Sequence, residues 1–314
     1  MAKVVVTARF PAIAPGWAAR LPDHALVGSI DGPDARWSRE RWLAELGDAE
    51  ALICLLTDRI DDAVLAAAPR LKVIANFAVG VDNIDRDGAR ARGIVVANTP
   101  DVLTEATADF AMLLLLAAAR RLREGELLVR RGLWAGWAPD LLLGAEVGSL
   151  GIIGYGRIGR AVARRARAFG MRVVVAEHGG RHDDDVEAVP LDALWGQVDA
   201  ISLHCPLTPA TRGLVDRAAI ARMRPGAILV NTARGACIDD DAVAEALERG
   251  HLGVAGLDVF TDEPTIAPRL LAAPRTVLAP HLGSATTTVR VRMAELCMTA
   301  VREVLAGRCP ENVA

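Results

Sequence analysis

The strongest constraint on the fold is an alternation that runs along most of the chain. Short apolar runs rich in β-branched residues are each followed by a longer segment with apolar residues at helical spacing. This alternation is typical of parallel sheets whose connecting helices cover both faces, and it predicts an α/β protein. The candidate strands form two groups, which implies two sheets. The first group comprises residues 3–7, 26–29, 51–55, 72–75 and 94–97, and the second begins near residue 149 and continues with 172–176, 199–203, 227–230, 254–258 and 276–279.

The segment between the two groups differs in composition from both. Residues 101–124 are rich in alanine and leucine and contain no helix breaker before Gly125, which predicts one long buried helix. Residues 125–149 carry Trp134 and Trp137 among glycines and a proline, so we expect an irregular arm. Exposed aromatic groups usually mark contacts, which favours a subunit interface, and packing of the tryptophans on their own domain is the alternative.

A glycine pattern opens the second group of strands. Gly154, Gly156 and Gly159 follow an apolar strand and precede a helical stretch, after which a second strand leads to Glu177. The first glycine permits a tight turn, the second lets the backbone approach a pyrophosphate, and the third lets the helix lie close to the sheet. The order of strand, turn, helix, strand and acidic residue predicts a dinucleotide site with phosphates at the helix N-terminus.

The residues at and after the second strand of this unit bear on the choice of dinucleotide. The Glu177 carboxylate can accept hydrogen bonds from the ribose hydroxyls and repel a 2′-phosphate, which favours NAD over NADP. His178 and Arg181 lie close enough in sequence to attract such a phosphate, so use of NADP stays open. The arginines at 160–167 are expected to form a solvated outer face.

Composition excludes several other classes of protein. The 314 residues carry a net charge of −3, which argues against nucleic-acid binding because neutralising phosphates requires a basic excess. The longest apolar run, 110–119, is shorter than the roughly 18 residues that span a bilayer, and no signal peptide is recognisable, so we expect a soluble, cytoplasmic protein. The five cysteines form no CxxC pair, which predicts reduced thiols and no metal site.

Three downstream segments each close a candidate strand and carry polar residues. Arg234 follows one strand, Asp258 and Glu263 follow the next, and His281 follows the last. Open α/β sheets bind ligands at the carboxyl ends of their strands, so these side chains should converge. An arginine can bind a carboxylate through two hydrogen bonds, and a histidine oriented by an acid can move a proton to or from a neighbouring oxygen.

At these residues the chain resembles the D-2-hydroxyacid dehydrogenases, most closely their glyoxylate and hydroxypyruvate reductase branch. The matching segments occur in order along nearly the whole chain. They are AVGVDNID at 78–85, NTPDVLTEATAD at 98–109, GIIGYGRIG at 151–159, CPLTPAT at 205–211, NTARG at 231–235, GLDVFTDEP at 256–264 and PHLGSA at 280–285.

The resemblance implies a two-domain architecture. Residues 1–99 and 285–314 would form a flavodoxin-like substrate-binding domain, and residues 100–284 an NAD-binding Rossmann domain. The active site would lie in a cleft between them. The second domain would include a dimerisation arm at about 121–146, so a homodimer is expected.

The resemblance also implies roles for individual residues. Arg234 would bind the substrate carboxylate, together with the backbone amides of Val79 and Gly80. His281 would be the general acid in reduction and the base in oxidation, and Glu263 would keep it protonated, since an adjacent opposite charge favours the charged imidazole. The residues expected to line the cofactor site are Thr107, Gly154, Gly156, Arg157, Ile158, Gly159, Glu177, Cys205, Pro206, Thr232, Ala233, Asp258, His281 and Gly283.

The expected substrate is a small, unphosphorylated 2-keto acid. Thr57 and Asp58 stand where phosphoglycerate dehydrogenases carry an arginine and a serine for the phosphate, and an acidic residue there disfavours a phosphorylated substrate. D-lactate or a bulkier hydroxy acid is an alternative. Phosphite is a second one, although Val79 stands where phosphite dehydrogenase carries its distinctive lysine. A third is an NAD-sensing corepressor-like scaffold without turnover, which the Arg234, Glu263 and His281 set disfavours.

Overall fold

A computed structural model describes residues 1–7, 21–28, 37–177 and 186–314. The strands are β1 Ala2–Val6, β2 His24–Gly28, β3 Ala51–Leu55, β4 Val73–Phe77, β5 Val95–Ala97, β6 Ser149–Ile153, β7 Arg172–Ala176, β8 Glu187–Val189, β9 Ala200–Leu203, β10 Ala227–Asn231, β11 Leu252–Leu257 and β12 Thr276–Leu278. The α-helices are α1 Arg39–Ala44, α2 Asp62–Ala67, α3 Arg86–Ala91, α4 Thr104–Ala119, α5 Leu122–Arg130, α6 Arg157–Ala168, α7 Leu191–Leu194, α8 Arg217–Arg222, α9 Asp240–Glu248, α10 Pro268–Ala272 and α11 Thr287–Leu305.

The chain divides into two compact units, each with its own sheet. The first consists of Met1–Leu103 and Ala285–Ala314, and the second of Thr104–Ser284. The first sheet has the order β2-β1-β3-β4-β5, with every pairing parallel, which is the flavodoxin-like order. Helices α1 to α3 contribute to the core on one side of this sheet, and α11 packs against β3, β4 and β5.

The second sheet has the order β12-β11-β10-β9-β6-β7-β8, again with every pairing parallel. This is the Rossmann order extended by one strand, so the predicted fold class is confirmed. Both faces are covered, since α4 and α6 belong to one apolar core and α8 and α9 to another. Burial on both faces explains why the strands read as nearly continuous apolar runs.

Every predicted strand is present, with ends shifted by one or two residues. The strand predicted at 26–29 is β2, and its residue 29 lies outside the described residues. Strand β8 was not predicted, because it has three residues, none of them fully buried, and therefore lacks an apolar signal. No helix within the described ranges is long and apolar enough to cross a membrane.

The prediction of one long buried helix over residues 101–124 is wrong. The structure has two helices, α4 and α5, with a break at Arg121, whose φ of 52° lies in the left-handed region. The amide N–H of Ala145 donates to Ala119 O (2.9 Å), and a Cβ on Gly144 would lie 2.5 Å from the same oxygen. The chain at Gly144 and Ala145 therefore provides the hydrogen-bond donor for the last carbonyl of α4. This contact comes from a segment outside the helix, so the helix sequence alone does not indicate the break.

The prediction of an irregular arm at 125–149 is partly wrong, because its first residues belong to α5, which buries none of its side chains. Trp134 is 56% exposed and Trp137 is 83% exposed, and Leu133 and Leu143 beside them are exposed as well. The alternative in which these tryptophans pack on their own domain is therefore wrong for the single chain.

The basic face of α6 is not simply solvated. Arg164 and Arg165 both pair with Glu105 of α4, at 2.7 and 2.8 Å, and Arg165 also pairs with Asp109 at 2.7 Å. Ion pairs at exposed positions contribute only about 0–1 kcal/mol each. They orient α6 against α4, while most of the stabilisation comes from the buried alanines and leucines between the helices and the sheet.

Candidate active site

The ends of five strands in the second unit form one row across the sheet. Their last residues are successive partners in the parallel ladders, namely Ile153, Leu203, Asn231, Leu257 and Leu278. The polar residues singled out in this unit lie within a few positions beyond such an end, except Glu177, which follows β7, and Thr107, which lies on α4. The sheet therefore places these residues along its carboxyl edge, where open α/β sheets bind ligands.

The three glycines after β6 play three different steric roles. Gly154 has a φ of +96°, and a Cβ there would lie 2.4 Å from Cys205 N, so the turn passes directly against the end of β9. A Cβ on Gly159 would lie 2.2 Å from Gly154 O, so α6 packs tightly onto the same turn. A Cβ on Gly156 would meet no atom within 4 Å. Of the three glycines, only Gly156 therefore has room beside it for a ligand.

This open space fits the phosphates of a dinucleotide. Helix α6 begins directly after Gly156, which has no side chain with which to cap the first turn, so the helix N-terminus suits an anion. Arg157 and Ile158 form that first turn. At the end of β10, the Thr232 hydroxyl is buried without a hydrogen-bond partner among the described residues, which suits a polar group of a ligand.

Glu177 lies one residue beyond β7, where the ribose of a dinucleotide is expected. Its side chain is exposed, and its backbone N–H donates to Val189 O (2.8 Å). His178 and Arg181, the residues that kept NADP open, lie outside the described residues. Cys205 is buried beside the glycine turn, whereas Pro206 is exposed and accepts a hydrogen bond from Thr211 Oγ1 (2.6 Å).

Asp258 organises the turn that carries His281. Its carboxylate is 1% exposed and accepts hydrogen bonds from Leu282 N (2.6 Å) and Gly283 N (2.8 Å), while its carbonyl accepts from His281 N (2.9 Å). His281 is held with a φ of +57°, which few residues other than glycine adopt. A Cβ on Gly283 would approach both Asp258 and Thr107 within 3.3 Å, so these three residues lie together.

Burial raises the pKa of the Asp258 carboxyl above its ordinary value, and the nearby Glu263 acts in the same direction. The two backbone amides and the charge of His281 oppose this shift without cancelling it. The Asp258 carboxylate therefore serves as a buried acceptor for the backbone amides of the His281 turn.

His281 and Glu263 form a close pair. His281 Nδ1 lies 2.8 Å from Glu263 Oε2, and the other carboxylate oxygen accepts a hydrogen bond from Phe260 N (3.0 Å). Burial opposes ionisation of Glu263, but the hydrogen bond and charge of His281, the Phe260 amide and Arg234 together hold the pKa of its carboxyl below the ordinary value. With Nδ1 engaged, Nε2 is the nitrogen left to exchange a proton with a ligand.

Arg234 lies three residues beyond the end of β10. Asn231, fully buried at that end, donates from Nδ2 to Arg234 O (2.9 Å) and accepts at Oδ1 from Ala233 N (3.0 Å). A Cβ on Gly235 would lie 1.9 Å from the carbonyl carbon of Phe260. The backbone beside Arg234 therefore rests directly on the backbone that leads to Glu263.

Sequence reasoning missed Asn231 and Gly235 as functional residues, although both belong to the quoted segment 231–235. An asparagine at a strand end followed by a turn is a recognisable signal, because its side chain can bond to backbone two residues on. The contact of Gly235 with Phe260 left no such signal, since the two residues are distant in sequence.

The other two predicted substrate contacts, Val79 and Gly80, lie in the first unit. Asn98 Nδ2 donates to Val79 O (2.7 Å), and Asn76 Nδ2 donates to Gly80 O (2.8 Å). Within the described part of the chain, the amide N–H groups of Val79 and Gly80 have no partner. The loop is thus anchored through its carbonyl oxygens and keeps two N–H donors for an anion.

The reason given for excluding a phosphorylated substrate is wrong in one respect. Asp58 is 2% exposed, and its carboxylate accepts from Leu55 N (2.8 Å) and from the Thr7 hydroxyl. It therefore braces the end of β3 and presents no charge at the surface of this unit.

A partly buried histidine–carboxylate pair, in one unit with a glycine turn that fits a dinucleotide, suits an oxidoreductase in which hydride and proton transfer are coupled. Comparisons with known proteins agree. Residues 112–283 match the family model described as D-isomer specific 2-hydroxyacid dehydrogenase, NAD binding domain. The chain is 47% identical over 285 residues to a glyoxylate reductase of Korarchaeum cryptofilum, covering 88% of this chain and 86% of that one.

Solved structures show the same relationship. A protein from Thermus thermophilus superposes with a TM-score of 0.91 at 44% identity, covering 99% of both chains. An NADPH-dependent glyoxylate/hydroxypyruvate reductase of Sinorhizobium meliloti, in complex with NADP and malonate, has a TM-score of 0.89 at 32% identity, covering 100% of this chain and 96% of that one. The chain belongs to the D-isomer specific 2-hydroxyacid dehydrogenase family and is an NAD(P)-dependent enzyme.

Replacing Gly156 with alanine tests the dinucleotide site. The new methyl group meets no protein atom, so Tm should stay unchanged, but it occupies the open space and should weaken NADH binding by about tenfold or more, roughly 1.4 kcal/mol. Fluorescence titration with NADH measures the dissociation constant. Gly47→Ala is the matched control, since it also adds a methyl group in open space and should leave binding unchanged. Unaltered NADH affinity in Gly156→Ala would remove this glycine from the site.

Proposed function

We propose that this enzyme reduces glyoxylate and hydroxypyruvate, small unphosphorylated 2-keto acids, to glycolate and D-glycerate with NADH. The observation that carries the proposal is the 2.8 Å pair of His281 Nδ1 and Glu263 Oε2 in the same unit as Arg234. The relatives of the chain that are named glyoxylate reductase support the choice of substrate.

Arg234 binds the substrate carboxylate in this mechanism. Its guanidinium can make two parallel hydrogen bonds to a carboxylate. Orienting the carboxylate also orients the adjacent carbonyl, because the two groups share a bond. A dinucleotide held at the glycine turn after β6 would supply the hydride.

His281 supplies the proton. In reduction, Nε2 of the imidazolium donates a proton to the carbonyl oxygen, and in oxidation the neutral ring takes the proton back at the same nitrogen. The ionised Glu263 carboxylate stabilises the imidazolium through Nδ1 and fixes the ring plane. Asp258 keeps the His281 turn in its left-handed conformation through three backbone hydrogen bonds.

NADH is the preferred reductant in this proposal. Glu177 follows β7 at the position where an acidic residue accepts the ribose hydroxyls, and its charge opposes a 2′-phosphate. The remainder of the cofactor site is lined by Thr107 of α4 and by residues at the carboxyl edge of the sheet, namely Cys205, Pro206, Thr232, Ala233 and Gly283.

Turnover of defined substrates tests the proposal. NADH absorbance, and separately that of NADPH, is followed with glyoxylate, hydroxypyruvate, pyruvate and phenylpyruvate. We expect the two small acids with NADH to be used best, and His281→Ala to lower kcat by about 10²–10⁴-fold while NADH binding persists. Preference for pyruvate or phenylpyruvate would show that glyoxylate and hydroxypyruvate are not the main substrates. Oxidation of phosphite without turnover of any keto acid would overturn the proposed function.

Glu263→Gln tests the histidine–carboxylate pair through pH dependence. Burial opposes ionisation of Glu263, but His281, the Phe260 amide and Arg234 hold the pKa of its carboxyl below the ordinary value, and the proposed role needs the ionised form. The kcat for reduction should therefore fall as the pH drops through that lowered pKa, and this acid limb should be absent in Glu263→Gln, which has no carboxyl to protonate. Profiles for wild type and variant are measured with saturating glyoxylate. An acid limb that persists unchanged in Glu263→Gln would show that a group other than Glu263 titrates there.

We also propose that the enzyme is a homodimer assembled through the arm at about 121–146. Trp134, Trp137 and the leucines beside them leave a large apolar area exposed on a single chain, and such areas usually mark contacts. In an isologous interface, the same surface of a second copy of the chain would cover this area.

Sedimentation velocity at micromolar concentration tests the dimer. Wild type should sediment as a dimer, and Trp137→Asp should shift it toward monomer, because a charge would be buried in the contact. Phe169→Asp is the matched control, since Phe169 is a similarly exposed aromatic residue at the end of α6 and does not belong to the arm. A monomeric wild type would contradict the proposal.

We propose a cytoplasmic location. None of the five cysteines forms a disulfide, and Cys54, Cys205, Cys237 and Cys297 are buried. Reduced thiols of this kind are typical of a reducing compartment, which also supplies NADH.

A further inference from the structure

Asn231 is a fully buried polar residue at the end of an otherwise apolar strand. Such a group is retained only where its hydrogen bonds are made, since an unsatisfied buried amide is costly. Both of its ends are engaged, with Oδ1 accepting from Ala233 N (3.0 Å) and Nδ2 donating to Arg234 O (2.9 Å). The reverse orientation of the amide would place a donor against the Ala233 N–H, so the orientation is determined.

These two bonds fix the backbone on both sides of the Arg234 Cα. The Arg234 carbonyl also accepts from Cys237 N (3.1 Å), so the peptide after Arg234 is held by two donors. The Ala233 carbonyl accepts from the Arg234 guanidinium at Nη1 (2.8 Å), while the Ala233 N–H is held by Asn231. The guanidinium therefore extends from a segment whose conformation the Asn231 side chain sets.

The opposite side of this turn meets backbone. A Cβ on Gly235 would lie 1.9 Å from Phe260 C, and Phe260 N donates to the Glu263 carboxylate (3.0 Å). The turn is thus held between the Asn231 amide and the chain that positions Glu263. A shift of the turn by a few tenths of an ångström would move Arg234 relative to the histidine–carboxylate pair.

We propose that Asn231 is a positioning residue for substrate recognition, holding the Arg234 turn so that the guanidinium meets the substrate carboxylate in the right orientation. The proposal rests on the proposed role of Arg234 in binding that carboxylate. A merely structural Asn231 would lower Tm when removed but would leave the affinity for the carboxylate unchanged.

Asn231→Ala provides the first test. We expect KM for glyoxylate, and the dissociation constant of oxamate measured with NADH present, each to rise about tenfold or more, roughly 1.4 kcal/mol. The dissociation constant of NADH should rise less than that of oxamate, because only Thr232 and Ala233 of the proposed cofactor site lie on this segment. Asp216→Ala is the matched control, because Asp216 also accepts a backbone N–H, that of Ala219 (2.8 Å), in the same unit but outside this turn. It should lower Tm without changing KM or oxamate binding.

A double-mutant cycle with Arg234→Lys shows whether Asn231 acts through Arg234. If it does, Asn231→Ala should change kcat/KM far less in the Arg234→Lys background than in wild type, because coupled residues are not additive. Equal effects in both backgrounds would overturn the proposal. Asn231→Asp keeps the volume and the acceptor for Ala233 while losing the donor to Arg234, and it takes the place of Asn231→Ala if that variant does not fold.

The outcomes separate this proposal from the proposed function. Turnover of glyoxylate by wild type together with unchanged oxamate affinity in Asn231→Ala would overturn the positioning role and leave the function standing. Absence of keto-acid turnover in wild type would overturn the function, and with it the carboxylate that Arg234 is proposed to bind.

Discussion

The parallel ladder of the second sheet is the constraint on which the candidate site depends. Five strands end in one row of partners, from Ile153 at β6 to Leu278 at β12. Because side chains alternate along a strand, a slip of one residue in any ladder would turn the following residues to the opposite face. The positions of Arg234, Glu263 and His281 relative to one another therefore follow from the register of buried apolar strands that take no part in the chemistry.

Close approaches of backbone to backbone tie the loops at this edge together. Gly154 meets the chain at Cys205, Gly159 meets Gly154, and Gly235 meets Phe260, each at a distance that leaves no room for a side chain. Contacts of this kind are stiff, because neither partner has a rotamer with which to yield. They connect the dinucleotide turn to β9, and the arginine turn to the loop that carries Glu263.

The pKa values of two carboxyl groups at this edge, those of Asp258 and Glu263, shift in opposite directions. Burial raises the pKa of Asp258, whose oxygens face backbone amides. Burial also opposes ionisation of Glu263, but His281, the Phe260 amide and Arg234 together outweigh it and lower the pKa of that carboxyl. Such a separation assigns different roles to two chemically similar groups. Glu263 serves as the charged partner of His281, and Asp258 serves as the acceptor that shapes the turn.

The sequence by itself determined the fold class, every described strand except β8, the glycine turn and the family, because apolar periodicity and glycine spacing are local properties of the chain. Only the tertiary structure decided that the predicted helix breaks at Arg121, that Asp58 is buried and that Gly235 rests on Phe260. Each of these depends on a segment distant in sequence: the chain at Gly144 and Ala145 takes up the last carbonyl of α4, and Thr7 contributes to holding Asp58. A local sequence pattern does not indicate which distant segment will pack against it, and this packing sets the geometry of the site.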